Sequence, residues 1–279
     1  MMNDSLMLDC YGRLGFESVP FSITPDTSLF YPGSQYASAY RQLSHACLHG
    51  QMAVMTGEIG LGKTLLVRCL LRQMPDTVRV AYLLNPMLEH GDLLKSIYEE
   101  LVGEAPPADL TGSQLQQALV DRVIQSALQG QRHVVIVDEA HRLQPESLEM
   151  LRLLSNLETE RHKLISLILV GQPELEQTLM LRSMRPLRER IGHWIRLAPM
   201  NRAESDGYIQ HRIRLTHRTG QFGFTPMALW WLHRRSRGVP RRINYACEKA
   251  LLLAYAAGVQ QVNWSMARQA CAEFTKVWT

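Results

Sequence analysis

The chain has 279 residues, 46% of them hydrophobic and 20% charged, with 30 Lys and Arg against 26 Asp and Glu. That balance is ordinary for a soluble globular protein of one large domain or two modest ones, and it excludes fibrous, disordered and disulfide-stapled chains. The formal charge of +4 is too small to argue by itself for an anionic partner.

The first fifty residues mix turn formers with a helical pattern over 37–49. "MAVMT" (52–56) then reads as a buried strand, followed by a helix over 63–74. "VRVAYLL" (78–84) is a second strand and 92–102 a helix. Thr111 and Gln114 form a capping box for a helix that runs to about Gln129. "HVVIVD" (133–138) is a third strand, "LISLILVG" (164–171) a fourth and "HWIRL" (193–197) a fifth, while Pro145 and Pro173 each open a helix. Short apolar strands alternating with helices predict a five-stranded parallel sheet sandwiched by helices. After Pro199 the pattern changes: helices over 201–219 (Asn201 as cap, Gly220 as stop), 226–236, 240–257 and 264–275 follow with no strand between them. The expected division is a leader and first helix packing on the core (1–50), an α/β core (51–199) and a small all-helical domain (200–279).

Cys10, Cys47, Cys69, Cys247 and Cys271 are odd in number and contain no CxxC pair, which reads as reduced thiols in a cytoplasmic protein. The start "MMNDSLMLDC" has no basic segment and predicts no secretion signal, and "ALLLAYAAGV" is too short to span a bilayer. A membrane is expected to be reached only through a partner.

"TGEIGLGKTLL" (56–66) fits G-x-x-x-x-G-K-[ST] between a strand and a helix. The glycines let backbone N–H groups turn toward phosphate oxygens, and the helix N-terminus adds a positive dipole. The expected cradle runs from Gly57 through Glu58, Ile59, Gly60, Leu61 and Gly62 to Lys63, Thr64 and Leu65. Lys63 is suited to reach the β and γ phosphates of ATP, and the Thr64 hydroxyl to coordinate Mg²⁺. "VVIVDEAH" (134–141) ends a buried strand on two acids: Asp138 as a Mg²⁺ ligand, directly or through water, and Glu139 to orient and deprotonate an attacking water. His141 either touches the γ-phosphate end or marks a polar strand end. No N-K-x-D and no LSGGQ-like signature occurs, which argues against switch GTPases and transporter ATPases.

In this order the signals resemble the AAA+ ATPases, with a five-stranded P-loop core and a four-helix lid. The resemblance implies that Gln172, in "LILVGQPEL", is the sensor 1 that helps place the hydrolytic water. It implies a trans-acting arginine in "PLRERIGHWIRL", Arg190 by position, with Arg188 as the alternative. It implies a sensor 2 arginine in "GVPRRIN", Arg241, with Arg242 in reserve. The leader "YGRLGFESVPFSITPDTSLFYPGSQYASAYRQL", with "TGEIGLGKT", "VDEAHRL" and "LVGQPEL", is similar to the ExeA/GspA group over nearly the whole chain. Within that group the likeness is to ATPases associated with assembly of mannose-sensitive haemagglutinin type IV pili. It implies a nucleotide-dependent homo-oligomer working with an inner-membrane pilus or secretion-assembly protein. Longer relatives add a transmembrane helix and a periplasmic peptidoglycan-binding domain; this chain ends at Thr279 with neither, so direct anchoring is not expected.

Phe21, Ile23 and Pro25 form an apolar patch that either helps cover an adenine or packs only on the core. "HRRSRGVPRR" (233–242) sets five arginines near Trp230 and Trp231, which keeps a DNA-binding, ATP-gated regulator as the alternative function. A nucleotide-holding module without turnover is a third. His45 and His49 have helical metal-ligand spacing but no third ligand, so no zinc site is expected.

Overall fold

Unbroken runs of β-formers leave no polar face for solvent, and a strand of that kind has to lie inside a covered sheet. A computed structural model describes residues 10–84, 90–107, 109–158 and 163–272. The chain divides into two compact units, Ala37–Ile59 with Leu66–Leu197, and Met1–Tyr36 with Gly60–Leu65 and Ala198–Thr279.

The elements in chain order are helix α1 (Ser34–Leu48), strand β1 (Met52–Thr56), α2 (Lys63–Arg72), β2 (Val78–Leu83), α3 (His90–Val102), α4 (Gly112–Leu128), β3 (Arg132–Val137) and α5 (Pro145–Leu154). They continue with β4 (Ile165–Gly171), α6 (Glu174–Met180), the short α7 (Arg185–Arg188), β5 (Ile191–Arg196), α8 (Arg202–Thr216), β6 (Gly223–Phe224), α9 (Pro226–Ser236), α10 (Pro240–Ala256), β7 (Gln261–Val262) and α11 (Trp264–Ala270).

In the first unit β1–β5 form one sheet in the order β2-β3-β4-β1-β5, with every pair parallel. The central strands β1, β3 and β4 are buried almost throughout, while the edge strands β2 and β5 show exposed positions. Leu93, Ile97 and Tyr98 of α3 and Leu115, Leu119 and Val123 of α4 join Ala81, Val135 and Leu167 of the strands in one core. The expected capping box forms, with Thr111 accepting from the Gln114 backbone and Gln114 reaching back to the Thr111 N–H. Pro145 stands at the first position of α5, where its missing N–H costs nothing. β5 begins at Ile191, two residues before the expected start, because exposed Gly192 interrupts the apolar pattern that the sequence reading relied on.

The second unit is helical, with one addition: β6 and β7 pair in parallel over two residues each, a ladder too short to leave a period in the sequence. α8 opens on an Asn201–Glu204 capping box. It ends at Thr216 rather than 219, because His217 leaves the helix to bridge Phe16, its ring edge-on to Phe16 at 5.0 Å and its Nε2 3.0 Å from the Leu14 carbonyl. Of the segment 1–50, helix α1 meets the α/β core, where the Ser166 hydroxyl donates to the Cys47 carbonyl at 2.9 Å, while residues 14–22 make contacts in this helical unit. The Glu17 N–H donates to Thr216, Arg212 donates to the Pro20 carbonyl, and Asn244 donates to the Ser22 carbonyl. Burial drives the Tyr208 hydroxyl up to about 12, and it donates to Asn244 at 2.7 Å. Positions 273–275 of the last expected helix lie outside the described residues. Among the described residues no helix is long and apolar enough to cross a membrane.

Candidate functional site

Strand register decides which loops meet. Thr56 of β1 pairs with Gly171 of β4, and Val137 of β3 pairs with Leu169 of β4. Gly57, Asp138, Glu139 and Gln172 therefore leave the sheet at one rim, the carboxyl ends of adjacent central strands, where ligands bind in open α/β sheets.

Asp138 lies just past β3, held by its N–H to the Leu83 carbonyl at 2.9 Å, and is 1% exposed. One carboxylate oxygen accepts the Glu139 N–H at 2.9 Å and the other the Tyr82 hydroxyl at 3.3 Å. Burial, then the charge of Asp138, holds the Tyr82 phenol well above its ordinary range, so Tyr82 stays a donor. Glu139 is left-handed (φ 57°, ψ 32°), a conformation costing about 1–2 kcal/mol for a residue with a side chain. The turn takes Glu139 out of the strand line. Its carboxylate lies 3.6 Å from Nε2 of His141, beyond hydrogen-bond reach.

His141 in turn meets Gln172. The Gln172 backbone N–H donates to Nδ1 at 3.4 Å, and its side-chain amide lies 3.0 Å from Nε2. Gly171 keeps this approach close, since a Cβ would come 3.2 Å from the His141 backbone nitrogen and 3.1 Å from Leu175 and one of them would have to give way. Beneath the loop, the Thr56 hydroxyl donates to Glu176, whose carboxylate also takes Nε of Arg196 at 2.8 Å. The Arg196 hydrogen bond holds the Glu176 carboxyl below the usual carboxylate range.

In the helical unit, Gly60 and Gly62 have φ of +85° and +86°, so the loop turns through two left-handed residues, a conformation open to glycine at little cost. The Tyr36 hydroxyl donates to the Leu61 carbonyl at 2.8 Å, and the Arg241 N–H donates to the Gly60 carbonyl at 3.2 Å. Lys63, 6% exposed, starts α2, and Thr64 follows it at the helix N-terminus. Two left-handed glycines, a lysine and a threonine at a helix start suit a phosphate chain, and in the other unit the buried Asp138 carboxylate with its fixed donor is of the type that holds Mg²⁺. Arg241 is exposed next to the loop, and Arg242 is half-buried one residue on.

The other arginines lie elsewhere. Arg188 donates to the Met180 carbonyl at 3.1 Å and is tied to the end of α6. Arg190 is exposed and precedes Ile191, which pairs with Met52 at the start of β1, whereas Arg196 pairs with Thr56 at its end. At about 3.3 Å per residue the strand separates Arg190 from the Gly57 rim by roughly 17 Å.

Phe21 has no exposed surface and meets Phe224 edge-on at 6.4 Å, so it is a core residue and not a wall for a base; Ile23 and Pro25 are exposed. His45 and His49 stack at 4.3 Å, and no group of three metal-ligating side chains able to hold a metal occurs among the described residues. Sequence reasoning missed Tyr36, Tyr82 and Glu176, whose partners lie 25, 56 and 120 residues away, and it saw His141 without its partner Gln172.

An AAA domain model matches residues 47–179. General secretion pathway protein A of Aeromonas hydrophila is 39% identical over 250 residues, covering 89% of this chain and 45% of that protein. The chain spans about half the length of the curated relatives it matches. The Aeropyrum pernix ORC2 protein, solved as ADPNP-ADP complexes, superposes with a TM-score of 0.69 at 20% identity, over 92% of this chain and 71% of that one. Cdc6p from Pyrobaculum aerophilum gives 0.69 at 18% identity, over 88% and 70%. At those identities the likeness is one of fold. The chain has an AAA-type P-loop fold, matches an AAA domain model over residues 47–179 and is related in sequence to a general secretion pathway protein A.

Proposed function

We propose that this chain binds ATP with Mg²⁺ and hydrolyses the β–γ bond, and that turnover drives assembly of secretion or type IV pilus machinery. One observation carries the enzymatic part: Asp138, Glu139 and Gln172 emerge beside Gly57 at a single rim. Lys63 and the N–H groups of the loop hold the phosphates, while Thr64 and Asp138 hold the metal. Mg²⁺, when bound, neutralises charge on the β and γ phosphates. Glu139, left without a hydrogen bond from His141, accepts the proton of the attacking water. Gln172 orients that water, Arg241 contacts the phosphates from α10, and Arg190 acts on a neighbouring copy. The working division is a core over 51–199 and a lid over 200–279.

The test is a pair of substitutions. Glu139→Gln should bind ATP and lose turnover by at least about a hundredfold, the lower end of what a general base contributes. Lys63→Ala should lose binding. A wild-type protein that ignores ATP overturns the reading.

The relationship to general secretion pathway protein A supports work at the inner membrane through a partner protein, with the chain itself cytoplasmic. The finer reading is a pilus of the mannose-sensitive haemagglutinin kind. A pull-down with Glu139→Gln from the native host should recover a component of that machinery.

A DNA-binding, ATP-gated regulator is favoured by one feature. Residues 198–279 hold 12 Lys and Arg against 4 Asp and Glu. On that segment Trp230, Trp231 and Trp264 are in ring contact at 6.0 and 6.1 Å, with Arg234 over Trp230 and Arg268 over Trp264. Aromatics interleaved with arginines suit nucleic acid. ATP-dependent DNA binding that weakens steeply with salt selects this reading, and no binding at low salt removes it.

A further inference from the structure

We infer that His141 is a positioning residue that ties sensor 1 to the catalytic carboxylate, so that Gln172 and Glu139 are aligned as a pair. The inference rests on the ATPase reading above.

A backbone N–H can only donate. The Gln172 N–H points at Nδ1 of His141 at 3.4 Å, so Nδ1 is the acceptor and the neutral ring carries its proton on Nε2. That Nε2–H faces the side-chain amide nitrogen of Gln172 at 3.0 Å and the Glu139 carboxylate at 3.6 Å. Two N–H donors cannot face each other. The amide therefore presents its oxygen to the ring and turns its NH₂ away, leaving a donor for a water or phosphate oxygen. The Glu139 carboxylate feels the Nε2–H dipole without giving up a lone pair to it. It is oriented and still free to accept a proton.

The backbone fixes this arrangement from three sides. Left-handed Glu139 starts the turn that carries His141. Gly171 admits the turn against β4. The ring is largely enclosed, its side chain 13% exposed. A movement of Gln172 toward a γ-phosphate would then be felt at Glu139 through one rigid ring, a coupling the two residues lack by themselves.

Two isosteres separate the ring nitrogens. The amide nitrogen of glutamine occupies about the place of Nε2, and the amide oxygen of asparagine about that of Nδ1. His141→Gln should keep turnover within about fivefold of wild type. His141→Asn and His141→Ala should lower kcat about tenfold to a hundredfold, a fraction of what a general base supplies, with ATP affinity and melting temperature little changed. In a Gln172→Ala background, His141→Asn should cost no more than about twofold further, because the two residues act as one unit. Long-range ¹H–¹⁵N spectra of the wild-type ring should show the Nε2–H tautomer, a readout independent of turnover.

Wild-type kcat in His141→Asn overturns the inference. So does a Gln variant as impaired as the Ala variant, or additive losses in the double variant, or an Nδ1–H tautomer. A parallel fall of melting temperature and ATP affinity would assign the ring a structural role and overturn it as well. Wild-type protein that binds ATP and never hydrolyses it brings down the ATPase reading together with this one. Active wild-type protein indifferent to His141 brings down this one alone.

Discussion

The backbone N–H of Arg241 donates to the carbonyl of Gly60 at 3.2 Å, so the first turn of α10 is locked to the phosphate loop without using its side chain. A Cβ on Gly60 would fall 2.8 Å from Cβ of Arg241, on a backbone already at φ +85°. The two residues should therefore fail differently. Arg241→Ala leaves the lock intact and should cost turnover about tenfold to a hundredfold, the ~1.5–3 kcal/mol of one charge-assisted contact. Gly60→Ala breaks the lock and should lose nucleotide affinity as well. Calorimetric ATP binding beside phosphate release separates the two.

Tyr82→Phe keeps the ring and removes the hydroxyl that donates to Asp138 and also meets Arg68. Partners that orient a metal ligand are typically worth about tenfold or more in metal affinity. The Mg²⁺ concentration for half-maximal turnover should rise about tenfold, while turnover at saturating Mg²⁺ stays near wild type. An unchanged Mg²⁺ titration would show that Tyr82 does not orient the ligand.

Arg190→Ala should abolish turnover while sparing ATP binding. Mixing it with Lys63→Ala, itself inactive, should restore part of the activity, because one protein keeps the loop and the other keeps the arginine. Arg188→Ala should instead loosen the end of α6, where Arg188 caps the Met180 carbonyl. Two dead proteins that stay dead when mixed at high concentration would exclude the trans role.

Acid should destabilise the fold through its buried histidines. His133 is 2% exposed, its Nε2 2.6 Å from the Ser126 hydroxyl, and burial lowers its affinity for a proton below the ordinary value of 6.5. The unfolded chain therefore takes up a proton near pH 6.5 that the folded chain refuses, and stability falls as pH drops below that value, by at most about 1.4 kcal/mol per pH unit for one group. Burial lowers His193, His211 and His233 in the same direction. Urea midpoints at pH 7.5 and 5.5 should differ less in His133→Gln than in wild type, with a residual slope from the other three.

Phe21→Ala should cost about 3–5 kcal/mol, the usual loss for a buried ring truncated to a methyl. A change under about 1 kcal/mol in denaturant unfolding would mean that the leader does not belong to that core.

The five strands were legible because each is a short run of apolar β-formers, and the caps at Thr111 and Asn201 because capping is local chemistry. The same locality sets the limit. α8 stops at Thr216 because Phe16 claims His217, a contact across two hundred residues that no pattern within 201–219 encodes. Gly57–Thr64, Asp138 and Glu139 announce themselves as contiguous motifs. Tyr82, Glu176 and the His141–Gln172 contact arise only once register brings separate strand ends together. The sequence leaves Phe21 open between base cover and core, and burial decides for the core, because an apolar residue next to a motif looks the same whether it lines a pocket or fills a core.

Arg190 lies at the amino-terminal edge of β5 and Gly57 at the carboxyl-terminal edge of β1, so the proposed trans role would give each protomer two unlike faces, one donating an arginine and one needing it. Contacts between unlike faces are heterologous: they close into a ring or continue as a filament, and they do not form a two-fold dimer. In any open assembly the terminal subunit has a site no neighbour completes. Specific activity should then climb with protein concentration and level off only when the ends become rare or vanish by closure.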